Sequence, residues 1–361
     1  MLLAAAALAL AAAAPSADAR PRLRCSSGST LLVNGQLRIF SVAFRDDDES
    51  GTDHYACLEG HGRPLWVGQD GEGPGVGLER MLAYSFAGGR YLLSALYAES
   101  EGGPSGDYMI FDLRAGKRIS STALNIGEIE ADFAFVADGR MVKADDQVVE
   151  LHRPRVGSRK LSTPGVIAGD LALSGTTLYW TESPEGAPPV VRSAPLGGDP
   201  GPAGDRLAPV GLHRGGSCTR RSGTTVLQSS RVRVLRRGAR VLACRFGDAL
   251  AVGLPADSTD LRVVADRWLF LRSGTRARVI DMRSRRTVTQ ADAPVESTLL
   301  DNGTLAWIEA GGRLLAATPG AALHELAASG ASALASSRTT VYWTAAAAPQ
   351  RFQPSGARPR D

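Results

Sequence analysis

The densest group of side chains that could do chemistry is an acidic stretch near the N-terminal end, Asp46-Asp-Asp-Glu-Ser-Gly-Thr-Asp53. Carboxylate and hydroxyl oxygens at alternate positions before a glycine turn are hard ligands of the kind that Ca²⁺ prefers. The spacing matches the opening of a calcium loop and gives a candidate cation or ligand loop of Asp46, Asp48, Ser50 and Asp53. The twelfth position is Cys57 where a calcium loop carries Glu, so a solvated hairpin tip is the alternative interpretation.

The four cysteines form the second such group: Cys25, Cys57, Cys218 and Cys244. Four cysteines allow three pairings, and the internal symmetry described below favours Cys25–Cys57 and Cys218–Cys244. A metal or redox site is the alternative, but the chain has no Cys-x-x-Cys, and His54 is the one histidine at ligand spacing from a cysteine. We therefore predict two structural disulfides, which form in oxidising compartments.

Sequence signatures of catalysis are missing. The five histidines are scattered, and there is no Gly-x-Ser-x-Gly elbow, phosphate loop or His-Glu-x-x-His motif. The competing interpretation is a hydrolase or lyase that uses carboxylates around a central channel, drawn from Asp132, Asp170 and Glu296. The sequence thus predicts no catalytic residue and no cofactor other than Ca²⁺ at the acidic loop.

The N-terminal segment is typical of an export signal. Residues 1–14 are almost all Ala and Leu, and Ala17-Asp18-Ala19 is a small-x-small cleavage site, so we expect a signal peptide over residues 1–19. A transmembrane anchor is the alternative, although this apolar run is shorter than the roughly 20 residues that cross a bilayer. We expect a soluble chain over 20–361 that is secreted or associated with the cell envelope.

The elements that would position these residues are β-hairpins. Period-two apolar segments separated by Gly-containing turns recur along the whole chain, in units of a length typical of propeller blades. Such sheets cover one another when they are arranged radially. We predict an all-β fold, a single eight-bladed β-propeller of four-stranded antiparallel blades, with two four-bladed rings as the alternative. The units are 25–68, 80–123, 130–163, 168–197, 218–253, 259–291, 295–327 and 331–355.

A longer repeat, of four units, divides the domain into two halves, 20–197 and 198–361. Each half begins with a cysteine pair and ends with a Tyr-Trp-Thr segment, at Tyr179–Thr181 and Tyr342–Thr344. Asp138-Gly139 is echoed by Asn302-Gly303, and such dipeptides suit two-residue hairpin turns. The order of these matches predicts a duplication of four units.

The segment Leu171–Leu196, with Leu-Tyr-Trp-Thr followed by Val190-Val-Arg-Ser-Ala-Pro-Leu, resembles a blade of the Tyr-Trp-Thr-Asp propeller repeats. The fourth motif residue is Glu182 in one copy and Ala345 in the other, so the receptor function of that family is not carried over. The whole chain also resembles uncharacterised exported propellers of high-G+C bacteria, which implies no activity. Tyr179 and Trp180 are expected to fill the space between blades.

Charge divides along the same line. Residues 20–197 carry 18 basic and 23 acidic side chains, whereas residues 198–361 carry 23 and 13. Long loops of the first half are expected on one loop-rich face, beside short equivalent loops of the second. Nucleic acid is excluded as a partner by export and by the lack of aromatic residues among the alternating arginines of 231–237. We predict a monomeric, non-catalytic propeller that binds a ligand, a protein or an envelope polymer through this face, with a structural envelope component as a third class.

Overall fold

The computed structural model describes residues 23–45, 50–73, 77–100, 103–124, 132–145, 148–198, 204–207 and 217–355. The expected signal peptide, over residues 1–19, and the residues Asp46 and Asp48 lie outside these ranges. Within them every regular element is a β-strand except one short helix, α1 (Ser217–Arg220). None of the described helical structure is long and apolar enough to cross a membrane.

The strands fall into eight consecutive units, numbered 1 to 8 below. The first four units contain β1 (Ser29–Asn34), β2 (Leu37–Arg45), β3 (Ser50–Leu58) and β4 (His61–Gly73); β5 (Gly77–Ala87), β6 (Tyr91–Ser100), β7 (Gly103–Asp112) and β8 (Lys117–Leu124); β9 (Asp132–Phe135), β10 (Met141–Asp145), β11 (Val148–Arg153) and β12 (Gly157–Lys160); and β13 (Ile167–Ser174), β14 (Thr177–Ser183) and β15 (Val190–Pro195).

A short strand, β16 (Asp205–Leu207), and helix α1 separate these units from the last four. Units 5 to 8 contain β17 (Thr224–Gln228), β18 (Val232–Arg237), β19 (Arg240–Arg245) and β20 (Ala251–Leu254); β21 (Thr259–Val264), β22 (Trp268–Ser273), β23 (Arg276–Asp281) and β24 (Arg286–Asp292); β25 (Glu296–Leu299), β26 (Leu305–Ile308), β27 (Leu314–Ala317) and β28 (Leu323–Ala327); and β29 (Ala331–Ser336), β30 (Val341–Ala345) and β31 (Ala348–Phe352).

The all-β prediction is confirmed, but the described residues do not form eight separate four-stranded sheets. Units 4 and 8 have three strands each in the described residues, and units 1, 2 and 5 join with β16 into one 13-stranded sheet. The predicted turn chemistry holds in detail. Gly35, Gly139 and Gly303 each have a positive φ (56°, 86° and 87°) in the turn between the first and second strands of a unit. Glycine adopts that conformation at little steric cost because it has no Cβ.

Apolar side chains on facing sheets pack the units into a ring. Separate buried clusters join unit 1 to 2, 2 to 3 and 3 to 4, and others join 5 to 6, 6 to 7 and 7 to 8. The two halves then meet in an unexpected order. Unit 4 packs on unit 8 through Tyr179 and Tyr342, and unit 1 pairs with unit 5 through β1 and β17. The units therefore follow the order 1-2-3-4-8-7-6-5 around one ring.

The two halves run in opposite directions where they meet. Strands β1 and β17 pair antiparallel. At the other seam the Tyr179 hydroxyl lies 2.6 Å from Thr344 Oγ1, and the Tyr342 hydroxyl lies 2.8 Å from Thr181 Oγ1. The start of β14 thus faces the end of β30, and the end of β14 faces the start of β30. Equivalent residues make the same contact in both senses, as they do across a two-fold axis.

This arrangement changes the prediction of a common loop-rich face. Consecutive strands of a unit run up and down, so a second-to-third strand loop lies at the opposite end from a first-to-second strand turn. Because the halves are inverted, the face that carries the long second-to-third strand loops of units 1–4 carries the short first-to-second strand turns of units 5–8. The equivalent loops of the two halves lie on opposite faces.

Units 4 and 5 are not neighbours in the ring, and the chain that connects them is described at 204–207. Strand β16 pairs antiparallel with β5, the first strand of unit 2, with Asp205 opposite Phe86. Gly204 N–H donates to the carbonyl of Phe135, 2.7 Å away on β9. The connection therefore lies against the inner strands of units 2 and 3.

The two predicted disulfides are confirmed: Cys25–Cys57 with a Cα–Cα distance of 5.9 Å, and Cys218–Cys244 with 5.7 Å. Each is held to its unit in the same way. Arg38 Nε donates to Thr30 Oγ1 at 2.9 Å and its Nη1 to the carbonyl of Cys25. In the second half Arg233 Nε donates to Thr225 Oγ1 at 2.9 Å and its Nη1 to the carbonyl of Cys218 at 3.3 Å. The two disulfides indicate an oxidising environment.

Candidate ligand-binding site

One cavity of about 560 Å³ lies at the centre of the ring. Its wall includes residues of the first strand of all eight units, β1, β5, β9, β13, β17, β21, β25 and β29. Binding cavities for small molecules span about 300–1,000 Å³ and are lined by apolar groups with a few placed polar ones. This cavity falls within that range, and its position makes it the first candidate for a functional site.

The wall from the first half is apolar. Its half-buried members include Leu82, Phe133, Ala134 and Leu173, and Asn34 is the one polar side chain that this half contributes to the described lining. These four apolar residues lie on β5, β9 and β13, the first and innermost strands of units 2, 3 and 4. The apolar part of a ligand that contacts this wall would be removed from water.

The wall from the second half, called the polar wall below, carries the polar side chains of the lining other than Asn34, beside apolar ones such as Leu261, Val263 and Phe270. All the charged residues of the described lining belong to it: Arg262, Asp266, Asp301 and Arg338. Hydroxyl groups lie between them. Thr298 Oγ1 lies 2.5 Å from Ser336 Oγ, and Arg272 Nη2 donates to Ser297 Oγ at 3.0 Å.

Matched positions of the two halves account for much of this contrast. Phe133 and Ser297 each lie six residues before the glycine of their turn. Leu173 and Ser336 each lie six residues before the tyrosine of their Tyr-Trp-Thr segment. The same backbone position thus carries an apolar side chain on one wall and a hydroxyl on the other.

Arg262 is one of two cations in the described lining, with a half-buried side chain. Its guanidinium lies over the ring of Phe270, 4.7 Å from the centroid, and Nη2 donates to Asp260 Oδ2 at 3.0 Å. Asp260 also pairs with Arg272 Nε at 3.5 Å. Arg262 Nε is buried and has no hydrogen-bond partner among the described residues. Two guanidinium groups therefore share one carboxylate, and one of them keeps an unused donor.

The turns of units 6, 7 and 8 fix the other charges of the wall. Arg338 Nε pairs with Asp301 Oδ2 at 3.3 Å, and Asp301 N–H donates to the Arg338 carbonyl at 2.9 Å. The indole N–H of Trp268 donates to the Asp301 carbonyl at 2.9 Å. Asp266 accepts a hydrogen bond from the Ser230 hydroxyl. These contacts between neighbouring units hold this rim of the cavity in place.

Two of the three carboxylates that sequence reasoning proposed for catalysis hold units together. Asp170 accepts hydrogen bonds from Ser337 Oγ at 2.9 Å and Thr340 Oγ1 at 2.8 Å, across the seam between the halves. Glu296 Oε2 accepts from Leu334 N–H at 2.8 Å. Asp132 begins β9, and its side chain lies outside the described residues. The described contacts give Asp170 and Glu296 structural partners.

The candidate cation loop is described only in part, by Ser50 and Asp53 in β3. Asp53 Oδ1 accepts from Trp66 Nε1 at 2.9 Å, and Oδ2 accepts from the Tyr55 hydroxyl at 3.2 Å. Both carboxylate oxygens of Asp53 thus have partners within unit 1. Among the described residues no group of three or more His, Cys, Asp or Glu side chains could hold a metal ion.

Sequence reasoning missed a buried polar chain between units 1 and 2. His54 Nδ1 lies 2.6 Å from the Tyr84 hydroxyl, and His54 Nε2 lies 3.2 Å from Asp70 Oδ2. Burial raises the pKa of Tyr84 well above its ordinary value. Burial acts to raise the pKa of Asp70 too, but hydrogen bonds from His54 and Met81 N–H outweigh it and lower that pKa. No motif signals residues so far apart in sequence.

A second missed cluster lies between units 2 and 3. His152 Nε2 lies 2.7 Å from Ser120 Oγ, and Nδ1 lies 3.2 Å from Ser158 Oγ. Burial lowers the pKa of His152, which favours the neutral ring. None of these residues lines the central cavity. Facing strands of neighbouring units bring them together, and no local sequence pattern encodes that contact.

No protein-family model matches the chain, and no curated protein matches it. Among solved structures, Hsv2 of Kluyveromyces lactis is 12% identical over 87% of this chain and 90% of that chain, with a TM-score of 0.24. A eukaryotic initiation factor is 10% identical over 83% and 90%, with a TM-score of 0.30. A prolyl endopeptidase is 12% identical over 88% of this chain and 54% of that chain, with a TM-score of 0.28. All three TM-scores lie below 0.5, so fold and site are argued from the chain's own geometry.

Proposed function

We propose that the chain is an exported, non-catalytic protein that binds a small-molecule ligand in the central cavity. The observation that carries the proposal is the cavity itself, of about 560 Å³, with an apolar wall from one half and a polar wall from the other. A site of that size and composition suits a small molecule. Export is supported by the signal-like residues 1–19 and by two disulfides.

We also infer that 20–197 and 198–361 are copies of one four-unit module, with the signal peptide at 1–19 removed. Support comes from irregularities that recur every four units. The first strand carries an extra residue against the second in units 1 and 5, 2 and 6, and 4 and 8, and it pairs regularly in units 3 and 7. A bulge is a specific backbone feature, so this pattern favours common descent of the halves over chance.

The alternatives from the sequence make different demands on the molecule. A protein or an envelope polymer exceeds the cavity and would have to contact the loops around it. A hydrolase or lyase would need Asp132, whose side chain lies outside the described residues, or would need Asp170 or Glu296 to leave its present hydrogen bonds. Ca²⁺ binding by Asp46, Asp48, Ser50 and Asp53 stays a prediction, and a rise in melting temperature on adding Ca²⁺ after EDTA treatment would support it.

The binding proposal is tested with N-phenyl-1-naphthylamine, an uncharged apolar fluorophore whose emission rises in apolar surroundings. We expect saturable binding of one molecule per chain. Ala134→Trp fills the cavity from the apolar wall and should abolish binding. Ala187→Trp adds the same side chain at an exposed position and should leave binding unchanged. Equal binding by both variants, or no saturable binding by the wild type, would overturn the proposal.

A further inference from the structure

We propose that the ligand is an amphipathic anion: an apolar body against Leu82, Phe133 and Leu173, with one carboxylate or other monoanionic group bound by Arg262. This inference rests on the proposed function, since it names the ligand class of the same cavity. All the charged side chains of the described lining lie on one wall, and the other wall is almost entirely apolar, so a molecule with one charged and one apolar end suits both.

The sign of the charged end follows from the groups around Arg262. Arg262 and Arg272 share the single carboxylate of Asp260, which leaves one positive charge unbalanced. Arg338 and Asp301 form a neutral pair. Across the whole lining Arg262 and Arg338 balance Asp266 and Asp301, so the preference for an anion is local to the group of Arg262, Arg272 and Asp260.

The hydrogen bonds favour Arg262 over Arg272 as the residue that binds the anionic group. Arg272 is fully engaged: Nε with Asp260, Nη1 with the Pro294 carbonyl at 3.3 Å, and Nη2 with Ser297 Oγ. Arg262 uses Nη2 alone in the described contacts, and its buried Nε has no partner. Its Nη1 makes no described hydrogen bond and, unlike the buried Nε, is open to solvent, so an anionic acceptor in the cavity would meet it with a strong, charge-assisted bond.

The position of Arg262 is particular to the second half. In the sheet of unit 6, Arg262 lies opposite Phe270, two residues after Trp268. The matching position of unit 2 is Ser85, which lies opposite Leu93, two residues after Tyr91. Ser85 is buried. The remaining carboxylate of the lining, Asp266, lies in the turn that follows β21 and accepts a hydrogen bond from Ser230. It offers a cation a weaker site at the rim, and the test includes that outcome.

Three matched eight-carbon probes test the inference by calorimetry: octanoate, 1-octanol and octylammonium. We expect octanoate to bind at least about tenfold more tightly than 1-octanol, as a hydrogen bond to a charged group provides. Octylammonium should bind most weakly. Hexanoate should bind about fifteenfold more weakly than octanoate, because each buried methylene contributes about fourfold in affinity.

Variants assign the preference to one side chain. Arg262→Gln should reduce the ratio of octanoate to octanol affinity to about one and leave the affinity for octanol unchanged. Arg262→Lys should keep part of the ratio, which shows that charge matters and that the site still folds. Arg276→Gln is the matched control, because Arg276 pairs with exposed Asp292 in the same unit, outside the lining.

The outcomes separate this inference from the proposed function. Equal binding of octanoate and octanol, or preference for octylammonium, overturns the anion assignment while cavity binding of the neutral fluorophore stands. An anion preference that survives Arg262→Gln overturns the role of Arg262. Binding of none of the octyl probes overturns the inference, and loss of the neutral fluorophore as well overturns the binding proposal itself.

Discussion

The two halves of the chain share a framework and differ at the cavity. In unit 2, Arg90 lies over the ring of Tyr91 and pairs with Asp112, with Nε 2.9 Å from Oδ1. In unit 6, Arg267 lies over Trp268 and pairs with Asp281 at 3.0 Å. A glycine turn of the next unit packs on the same ring each time, Gly139 on Tyr91 and Gly303 on Trp268.

At the cavity the same comparison gives the opposite result. Phe133 and Leu173 are matched by Ser297 and Ser336, and the place of Arg262 is taken by Ser85, which is buried outside the lining. Positions that hold a unit together make the same contacts in both halves, whereas positions that face the cavity differ in their chemistry. The difference indicates which residues serve the fold and which serve the proposed ligand site.

The disulfides give the largest expected effect and test whether the frameworks are equivalent. Cys25→Ala with Cys57→Ala, and Cys218→Ala with Cys244→Ala, should each lower the free energy of unfolding by about 3–4 kcal/mol. The two costs should agree closely because the closed loops are similar, with sequence separations of 32 and 26 residues. Urea unfolding of both double variants checks this. A large loss from one half and almost none from the other would break the equivalence.

The paired arginine–aspartate contacts give the next effect. Asp112→Asn and Asp281→Asn should each cost about 1–2 kcal/mol of unfolding free energy, because a charge-assisted pair is lost while water still screens the half-exposed arginines. Asp292→Asn removes an exposed partner and should cost less than about 0.5 kcal/mol. Similar costs for Asp112 and Asp292 would show that this contact is not part of a shared framework.

These two carboxyl groups also predict how stability depends on pH. Hydrogen bonds from Arg90 and Arg267 lower the pKa values of Asp112 and Asp281. A lowered folded-state pKa contributes stability above the unfolded value of about 3.9, and that stability is lost as pH falls through the folded value. The cost of either Asp→Asn substitution should therefore be smaller at pH 3 than at pH 6. Equal costs at both pH values in urea unfolding would contradict the assigned cause.

The sequence predicted what is encoded locally. Asn-Gly and Asp-Gly dipeptides place the hairpin turns, alternating apolar residues define the strands, and repeated cysteine positions specify the disulfides. The order of units around the ring was not predicted, because it depends on which sheet faces fit together. Tyr179 and Trp180 were expected to fill a space between blades, but nothing local shows that Tyr179 packs against Tyr342 of unit 8.

The candidate site was predicted less well than the fold. Sequence reasoning selected charged residues in loops, where Asp170 turns out to join the two halves and Asp46 and Asp48 lie outside the described residues. Arg262 was not selected, since one arginine among many in 206–286 has no distinguishing pattern. Its unused donor and its place on the cavity wall follow from contacts between distant strands.

The most direct test of the inverted ring is a double-mutant cycle between Thr181 and Tyr342, 161 residues apart with their hydroxyls 2.8 Å from each other. We expect Thr181→Val and Tyr342→Phe to show a coupling of about 0.5–1.5 kcal/mol in the free energy of unfolding. Thr304→Val, which removes a hydroxyl bonded within unit 7, should be additive with Tyr342→Phe. A coupling of zero between Thr181 and Tyr342 would contradict the contact of unit 4 with unit 8, and with it the cavity that the two unlike walls enclose.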